Sequence, residues 1–364
     1  MGLHMLSTVF TLSTLMAVTL KQVAAAAGVS RPTANLIVLG KGARFSEATR
    51  ARVMEAVRTL NYRPSLAARG FSERKSYLVA ALVSEEYANS YPEFSVVFQQ
   101  RVLGRGYLPV TALTTDAALQ KQMVARMGEV RVDALVINRS WADEDGSLSR
   151  LIEQLRASGT VVVELFMQYL PDGSSVRIDW EEAGRLALVS LQGLGLKRTV
   201  MWTPLLPRTG GKLETLEETH DQYRGWAKAA RGLGLKPRVE VHPALPLRSQ
   251  EGPKRGSPLY EAAGELMSGA SRPDGVMACS TNAVAHLSLY LRDHPEHKPA
   301  GFTIAHWHDP IVQVDPAERR VILRLQTERL AELAVAAAFD GLGGMPVESK
   351  SLGPTLVIVE NGQG

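Results

Sequence analysis

The chain has 364 residues, 45% of them apolar and 21% charged, a length that allows about two or three domains with real cores. Its one cysteine excludes a disulfide framework and a thiolate metal cage. The net charge of +4 is spread unevenly. Residues 18–75 hold 11 basic side chains (Lys21, Arg31, Lys41, Arg44, Arg50, Arg52, Arg58, Arg63, Arg69, Arg74 and Lys75) against only Glu47, Glu55 and Glu73, a local +8. Residues 1–17 carry no formal charge, which leaves −4 for 76–364. A basic head on an acidic remainder is the charge pattern of a nucleic-acid binder.

Residues 1–17, MGLHMLSTVFTLSTLMA, lack the positive start of a secretory signal and are too short and polar to span a bilayer. They are expected to form a disordered extension, with Met16 as an alternative start just ahead of the first organised element. No other stretch reaches eighteen apolar residues, so a cytoplasmic protein is expected.

Thr19 predicts a helix cap ahead of Leu20, Lys21, Gln22, Val23 and the run 24–27 of alanines. Leu20, Val23 and Ala27 share one helical face, and Gly28 ends the helix. After the apolar plug Val29, Ser30 caps a second helix through Thr33, Ala34, Leu36 and Ile37, with Pro32 in its first turn, where a missing N–H costs little. Two short helices joined by Gly-Val-Ser predict a helix-turn-helix whose second member enters the major groove. Ser46 caps a third helix over 47–60, with Val53, Ala56, Val57 and Leu60 inward, and Asn61 closes it. A basic three-helix bundle is the plainer reading of the same spacing.

The segment that follows narrows the choice. Asn61-Tyr62-Arg63-Pro64 leads into 65–71 (SLAARGF), then Lys75-Ser76 and a strand. With Thr19-Leu20, Val23-Ala24, Ala27-Gly28-Val29-Ser30, Thr33, Ser46, Thr49-Arg50, Val53, Leu60-Asn61-Tyr62, Pro64 and Ala68-Arg69, the sequence resembles the LacI–GalR family of bacterial transcriptional regulators. The resemblance implies a hinge helix that forms on the operator and wedges a side chain into the minor groove, a position held here by Phe71. Ser65 stands where the family usually has Asn, and Gly70 lowers hinge-helix propensity by roughly 1 kcal/mol. Arg31 is the first candidate base reader, its fork suited to guanine, and Asn35 is the second, suited to adenine or a phosphate. Leu36 replaces a base-contacting Arg of the family and changes the expected half-site. Thr19, Ser30, Thr33, Tyr62 and Arg50 are expected phosphate contacts, with Ser65, Ala68, Arg69 and Phe71 on the hinge side.

From Tyr77 short apolar strands alternate with helices. Strands are predicted at 78–83, 108–113, 134–137, 161–165, 176–178, 199–202, 275–278 and 302–305, and helices at 120–127, 147–157, 180–193, 221–232, 259–268, 281–292 and 328–339. This pattern predicts doubly wound parallel sheets covered on both faces. The resemblance implies two periplasmic-binding-protein-like subdomains with a ligand cleft at strand ends. Cleft candidates are Glu85, Tyr87, Tyr91, Asn138 with Arg139, Asp179, Trp180, Glu182, Arg224, Asn282 after Thr281, Trp307 and His308. Gln222 takes the place of the family's effector-binding Arg, Thr281-Asn282 that of its Asn-Asp pair, and His308 that of an Asp. Losing these charge-assisted bonds points away from an ordinary sugar effector, or to a cleft that no longer binds one.

Enzyme signatures are weak. His306 and His308 share a strand face, and Asp309, His294 and His297 offer further ligands, but no His-Glu-x-x-His or cysteine pair accompanies them. Cys279 reads as a small buried hydrophobe. Neither Gly-x-Ser-x-Gly nor a phosphate-cradling loop occurs, and 341–344 (GLGG) opens no dinucleotide helix. No metal, cofactor or catalytic site is expected. The expected order is an extension at 1–17, a helix-turn-helix domain at 18–63, a hinge at 64–76 and an effector-binding, dimerising core at 77–360. Within the core, subdomain one takes 77–177 and 327–341, and subdomain two takes 178–326 and 345–360. The whole reads as a multidomain chain, an all-α head on an α/β core. Its expected function is a homodimeric repressor on double-stranded operator DNA, cytoplasmic and nucleoid-associated when bound, and tuned by a small molecule. The alternative is a periplasmic-type small-molecule binder without DNA regulation.

Overall fold

The computed structural model describes residues 18–64, 69–70, 73–139, 143, 145–169, 173–204, 220–243, 252–307 and 318–359. The expected extension at 1–17 lies outside them. The chain divides between Ser76 and Tyr77 into two compact units.

The first unit carries α1 (Leu20–Ala26), α2 (Arg31–Val38) and α3 (Glu47–Thr59). Each start is capped as its side chain dictates. Thr19 and Gln22 form a reciprocal capping box, Ser30 Oγ accepts from Thr33 N at 3.3 Å, and Ser46 Oγ accepts from Thr49 N at 3.3 Å. Gly28 after α1 and Asn61 after α3 take left-handed backbone (φ 61° and 47°). Val23, Ala24, Ala27, Ala34, Ile37, Val53 and Ala56 are buried between the three helices.

The second unit has two six-stranded sheets. Sheet one runs β11-β5-β4-β3-β1-β2, built from β1 (Leu78–Ser84), β2 (Leu108–Thr114), β3 (Ala134–Asn138), β4 (Val161–Phe166), β5 (Ser174–Ile178) and β11 (Lys350–Leu352). Sheet two runs β12-β10-β9-β8-β6-β7, from β6 (Thr199–Pro204), β7 (Val239–His242), β8 (Gly275–Ala278), β9 (Thr303–Trp307), β10 (Arg319–Arg324) and β12 (Thr355–Val359). The helices are α4 (Glu85–Ser90), α5 (Pro92–Leu103), α6 (Ala117–Glu129), α7 (Ser147–Ala157), α8 (Trp180–Gly193), α9 (Asp221–Gly232), α10 (Pro258–Ser268), α11 (Thr281–Asp293) and α12 (Thr327–Leu342).

Three features correct the sequence reading. Residues 350–352 belong to sheet one, where Leu352 pairs in parallel with Ile178, and not to subdomain two. The chain therefore crosses between sheets three times, after β5, after β10 and between β11 and β12. Sheet two is not wholly parallel: β12 runs antiparallel to β10, Val321 facing Ile358. Such an edge strand needs only the short Gly353-Pro354 link to reach its place. The third correction is β7, β10 and the helices α4 and α5, which the apolar pattern did not mark.

The crossovers are tied to one another. Asp179 N donates to Leu352 O at 2.8 Å, and Gln326 Nε2 donates to Gly353 O at 2.7 Å. On the first crossover α8 lies directly against α9. A Cβ on Gly184 would stand 1.8 Å from Gln222 O, and one on Gly225 would stand 1.8 Å from Glu181 O. Only paired glycines permit that approach. Gly184→Ala or Gly225→Ala should lower stability by about 1–3 kcal/mol in denaturant unfolding, since backbone must move. Gly193→Ala, with open space around it, should not.

Candidate DNA interface and core cleft

On the first unit, α2 presents Arg31 exposed, and Thr33, Asn35 and Leu36 half-buried. The helix has no acidic residue in its first turn, and among the described residues Arg31 and Arg50 make no ion pair. Ser30 and Thr33 share a hydroxyl hydrogen bond of 2.9 Å, and Thr19 Oγ1 donates to Gln22 Oε1 at 2.9 Å. These hydroxyls are fixed by capping, which orients them ahead of any phosphate. Tyr62 packs partly into the three-helix core. Arg69 stands 3.6 Å from Glu73, which Lys41 also meets at 3.6 Å, so this hinge-side arginine is engaged within its own unit. Ser65, Ala68 and Phe71 lie outside the described residues.

In the second unit both sheets reverse strand order, between β1 and β3 and between β6 and β8, the crevice positions for a ligand in such folds. A cleft of about 240 Å³ opens near the first crossover, lined by residues that include Phe166, Gln168, Arg177, Asp179, Trp180 and Arg224. Of the predicted residues, Asp179, Trp180 and Arg224 converge here. Asp179 is also the cap of α8, its Oδ1 accepting from Glu182 N at 2.9 Å. Arg224 donates to Glu181 at 2.9 Å and to Asp221, and Glu181 takes Lys228 as well. Hydrogen bonds from Lys228 and then Arg224 hold the Glu181 carboxyl below its ordinary range. Glu182 lies in the adjoining groove, paired with Arg185 at 2.6 Å.

Of the aromatic candidates, Tyr87, Tyr91 and Trp307 pack among other side chains, while Trp180 packs and also lines the cleft. Tyr87 is buried, its ring 4.7 Å from Phe166, 5.1 Å from Tyr91 and 5.6 Å from Phe94. Its hydroxyl has no partner among the described residues. Trp180 and Trp307 meet edge to face at 5.0 Å and 78°. Trp307 packs against the cores of both subdomains, and Trp180 against that of subdomain one. Gln222 is buried, with an unpartnered Nε2. Glu85 is exposed at the start of α4, and Asn282 is half-buried with its carbonyl accepting from His286 Nδ1 at 2.8 Å. Asn138 is buried at the end of β3, its carbonyl accepting from Gln120 Nε2 at 2.8 Å. Arg139 beside it is a structural ion, held by Glu164 at 3.2 Å and Asp143 at 3.1 Å and lying 4.3 Å over the Tyr169 ring. Burial pushes the Cys279 thiol up to about 12, an inert small side chain. His308 lies outside the described residues.

Phe166, Gln168 and Arg177 were missed in the sequence. Phe166 alone carried a usable signal, as the apolar end of a strand; its left-handed backbone (φ 69°), rare for a bulky residue, is visible only in the structure.

The architecture defines a helix-turn-helix head together with a two-subdomain, periplasmic-binding-protein-like core. Residues 19–65 match the family model described as bacterial regulatory proteins, lacI family. The chain is 30% identical over 141 residues to the sucrose operon repressor of Klebsiella pneumoniae, covering 38% of this chain and 42% of that protein. It is 30% identical over 221 residues to the fructose operon regulatory protein of Vibrio cholerae, covering 60% and 64%. Among solved structures, the lac repressor dimer bound to operator and the anti-inducer ONPF superposes with a TM-score of 0.69 at 18% identity, over 94% of this chain and 98% of that one. The complex of the regulator CelR with cellobiose gives 0.61 at 21%, over 95% and 100%. The family match is carried by the head at residues 19–65, and the chain spans 42% and 64% of the lengths of these two curated relatives. No helix among the described residues is long and apolar enough to cross a membrane.

At the start of α9, His220 Nδ1 accepts from Tyr223 N and its Nε2 meets Thr203 Oγ1, both at 3.2 Å. Burial lowers its pKa, so the neutral ring is the folded form. Unfolded chain, titrating near the ordinary value of about 6.5, takes the proton first. Stability from this cap is complete above that pH and is lost as pH falls below it. His220→Asn keeps a cap and should flatten the acid limb of a stability–pH curve measured by thermal unfolding.

Proposed function

We propose that this chain is a sequence-specific transcriptional regulator, a repressor, that binds a dyad-symmetric operator as a homodimer and responds to a small molecule in the core cleft. The observation that carries the reading is the head: three capped helices, with a second helix that offers Arg31 to solvent on a segment of charge +8. Arg31 would read a guanine edge and Asn35 an adenine or phosphate, while Thr19, Ser30, Thr33, Arg50 and Tyr62 would hold the backbone. The described relatives are regulators, and this reading takes the chain to be one without catalytic activity.

Self-association is supported by α5, whose Val96 and Leu103 are about half exposed and lie seven residues apart on one face. The neighbouring edge strand β2 adds exposed Leu108 and Leu113. In the cleft, the Phe166 and Trp180 rings beside Gln168 and Arg224 support a small polar ligand with an apolar face. Gln222 forgoes the charge-assisted bonds by which an arginine would hold sugar hydroxyls. The mechanism would be population shift, with the ligand favouring one arrangement of the subdomains.

A gel-shift against the DNA upstream of the protein's own gene should give a complex that random duplex competes away poorly; equal competition removes the regulator reading in favour of a ligand-binding protein without DNA control. Arg31→Ala should weaken specific binding by about 1–3 kcal/mol and leave non-specific binding nearly unchanged.

A further inference from the structure

The sequence reading expected no metal, and tested His306 and His308 as the centre of any such site. The structure sets His306 apart from that role: its ring is buried, with Nδ1 on Trp307 O at 2.7 Å. Among the described residues the group that converges is another, at the end of α11. There α11 gives way to a single tight turn, Pro295–His297, closed by His297 N donating to His294 O at 3.0 Å. One ligand atom from each of His294, Glu296 and His297 lies within 4.8 Å of the others. His294 Nδ1 stands 3.4 Å from Glu296 Oε1, and His297 Nε2 stands 4.0 Å from the same oxygen.

We propose that His294, Glu296 and His297 form a zinc(II) site, with a fourth position left for water. Two imidazoles and a carboxylate are a donor set that zinc accepts, at bond lengths near 2.0–2.2 Å. Tetrahedral bonds of that length place ligand atoms roughly 3.4 Å apart. One pair already has this separation, and the exposed Glu296 and half-buried His294 side chains can turn about Cα–Cβ toward His297, which its phenol partner holds in place.

The surroundings favour binding over a chance cluster. Tyr290, itself buried, meets His297 Nδ1 through its hydroxyl at 2.7 Å. With Nδ1–H donating to that oxygen, the lone pair of His297 sits on Nε2, the nitrogen that faces Glu296. A fixed partner on the far nitrogen is the usual means of orienting a metal-binding imidazole. The Tyr290 ring also packs 4.6 Å from the His294 ring, which aligns both imidazoles nearly parallel, 19° apart. The nearby cation Lys298 is occupied by Glu318 at 3.6 Å, and Arg255 by Asp293 at 2.7 Å, so neither is committed to Glu296. The helix and turn therefore supply three ligands within four consecutive positions, on a support fixed by one buried phenol.

The test uses the full chain, stripped with a chelator and titrated with zinc chloride by calorimetry, and with cobalt chloride by visible absorption. One equivalent of zinc and the intense d–d bands of four-coordinate cobalt are expected. The double variant His294→Ala/His297→Ala should lose both, Glu296→Gln should weaken zinc at least tenfold without disturbing an exposed position, and Tyr290→Phe should weaken it about 10–100-fold. No saturable zinc binding, or binding that the double variant keeps while its circular dichroism is unchanged, overturns the site. Equal affinity in Tyr290→Phe overturns the orienting role given to the phenol.

Discussion

Where α8 crosses α9, backbone meets backbone, because Gly184 and Gly225 each lie under the carbonyl of the other helix. Much of the core cleft depends on that approach. It sets α9 one short side-chain layer closer to the first crossover than any other pair of residues would allow. Gln222, Asp221 and Arg224 sit on the near end of α9, and Asp179, Trp180 and Glu181 on the near end of α8. The ion pairs Arg224–Glu181 and Lys228–Glu181 then bridge the two helices at their exposed side. These exposed pairs are worth little individually, and the apolar contacts of Trp226, Ala187 and Leu188 below them carry most of the stabilisation.

The same crossover is the place where the two sheets are tied. Asp179 caps α8 with its side chain and holds β11 with its backbone, so one residue fixes the first and third crossings together. Gln326 does the same for the second and third. Any change in the angle between the subdomains would have to be taken up in these three segments, which hydrogen bonds hold together. The Trp180–Trp307 pair sits beside them, with Trp307 in contact with both cores. A change in subdomain angle would have to slide or separate these rings, and the energy at stake is an edge-to-face contact worth roughly 0.5–1.5 kcal/mol beyond area burial. That size is suited to an equilibrium that a small ligand can tip.

Legibility in the sequence followed the strength of local signals. Helices α7, α8 and α9 have the bounds read from their spacing, because Asp179 marks a start and glycines follow each end. The head was equally legible, with Thr19, Ser30 and Ser46 acting as caps where expected. Helices α4 and α5 escaped because Asn, Ser, Tyr and Pro92 between them read as a loop, and only Phe94, Phe98 and Val102 carry the buried face. Strands β10 and β12 escaped for another reason. β10 keeps only Val321-Ile322-Leu323 between arginines, and β12, though an unbroken apolar run, follows Gly353-Pro354 at the chain's last turn and is an edge strand with Leu356 and Ile358 exposed. The cleft was half legible. Strand ends pointed to Asp179 and Trp180, but nothing local distinguishes Arg177 or Gln168, which reach the cleft only through the pairing of β4, β5 and β11. Arg139 shows the converse. It stands at a strand end beside a switch point, and three-dimensional structure commits it to Glu164 and Asp143 instead.

In the head, capping and the proposed DNA contacts draw on the same hydroxyl groups. Ser30 Oγ accepts from Thr33 N in the first turn of α2 and pairs with the Thr33 hydroxyl, a requirement of the fold whatever the DNA sequence. Both hydroxyls lie at a helix start whose dipole is positive, a setting that favours phosphate oxygens of any sequence. Sequence information therefore has to come from side chains that the fold does not need. On α2 these are few: Ala34 and Ile37 are consumed by the core, Pro32 by the first turn, and Leu36 is half-buried and apolar. Arg31 and Asn35 are what is left, four residues apart and so on one face of the helix. Under the proposed reading, two such readers would give a short half-site, and pairing two heads across a dyad would be the physical means of making it selective.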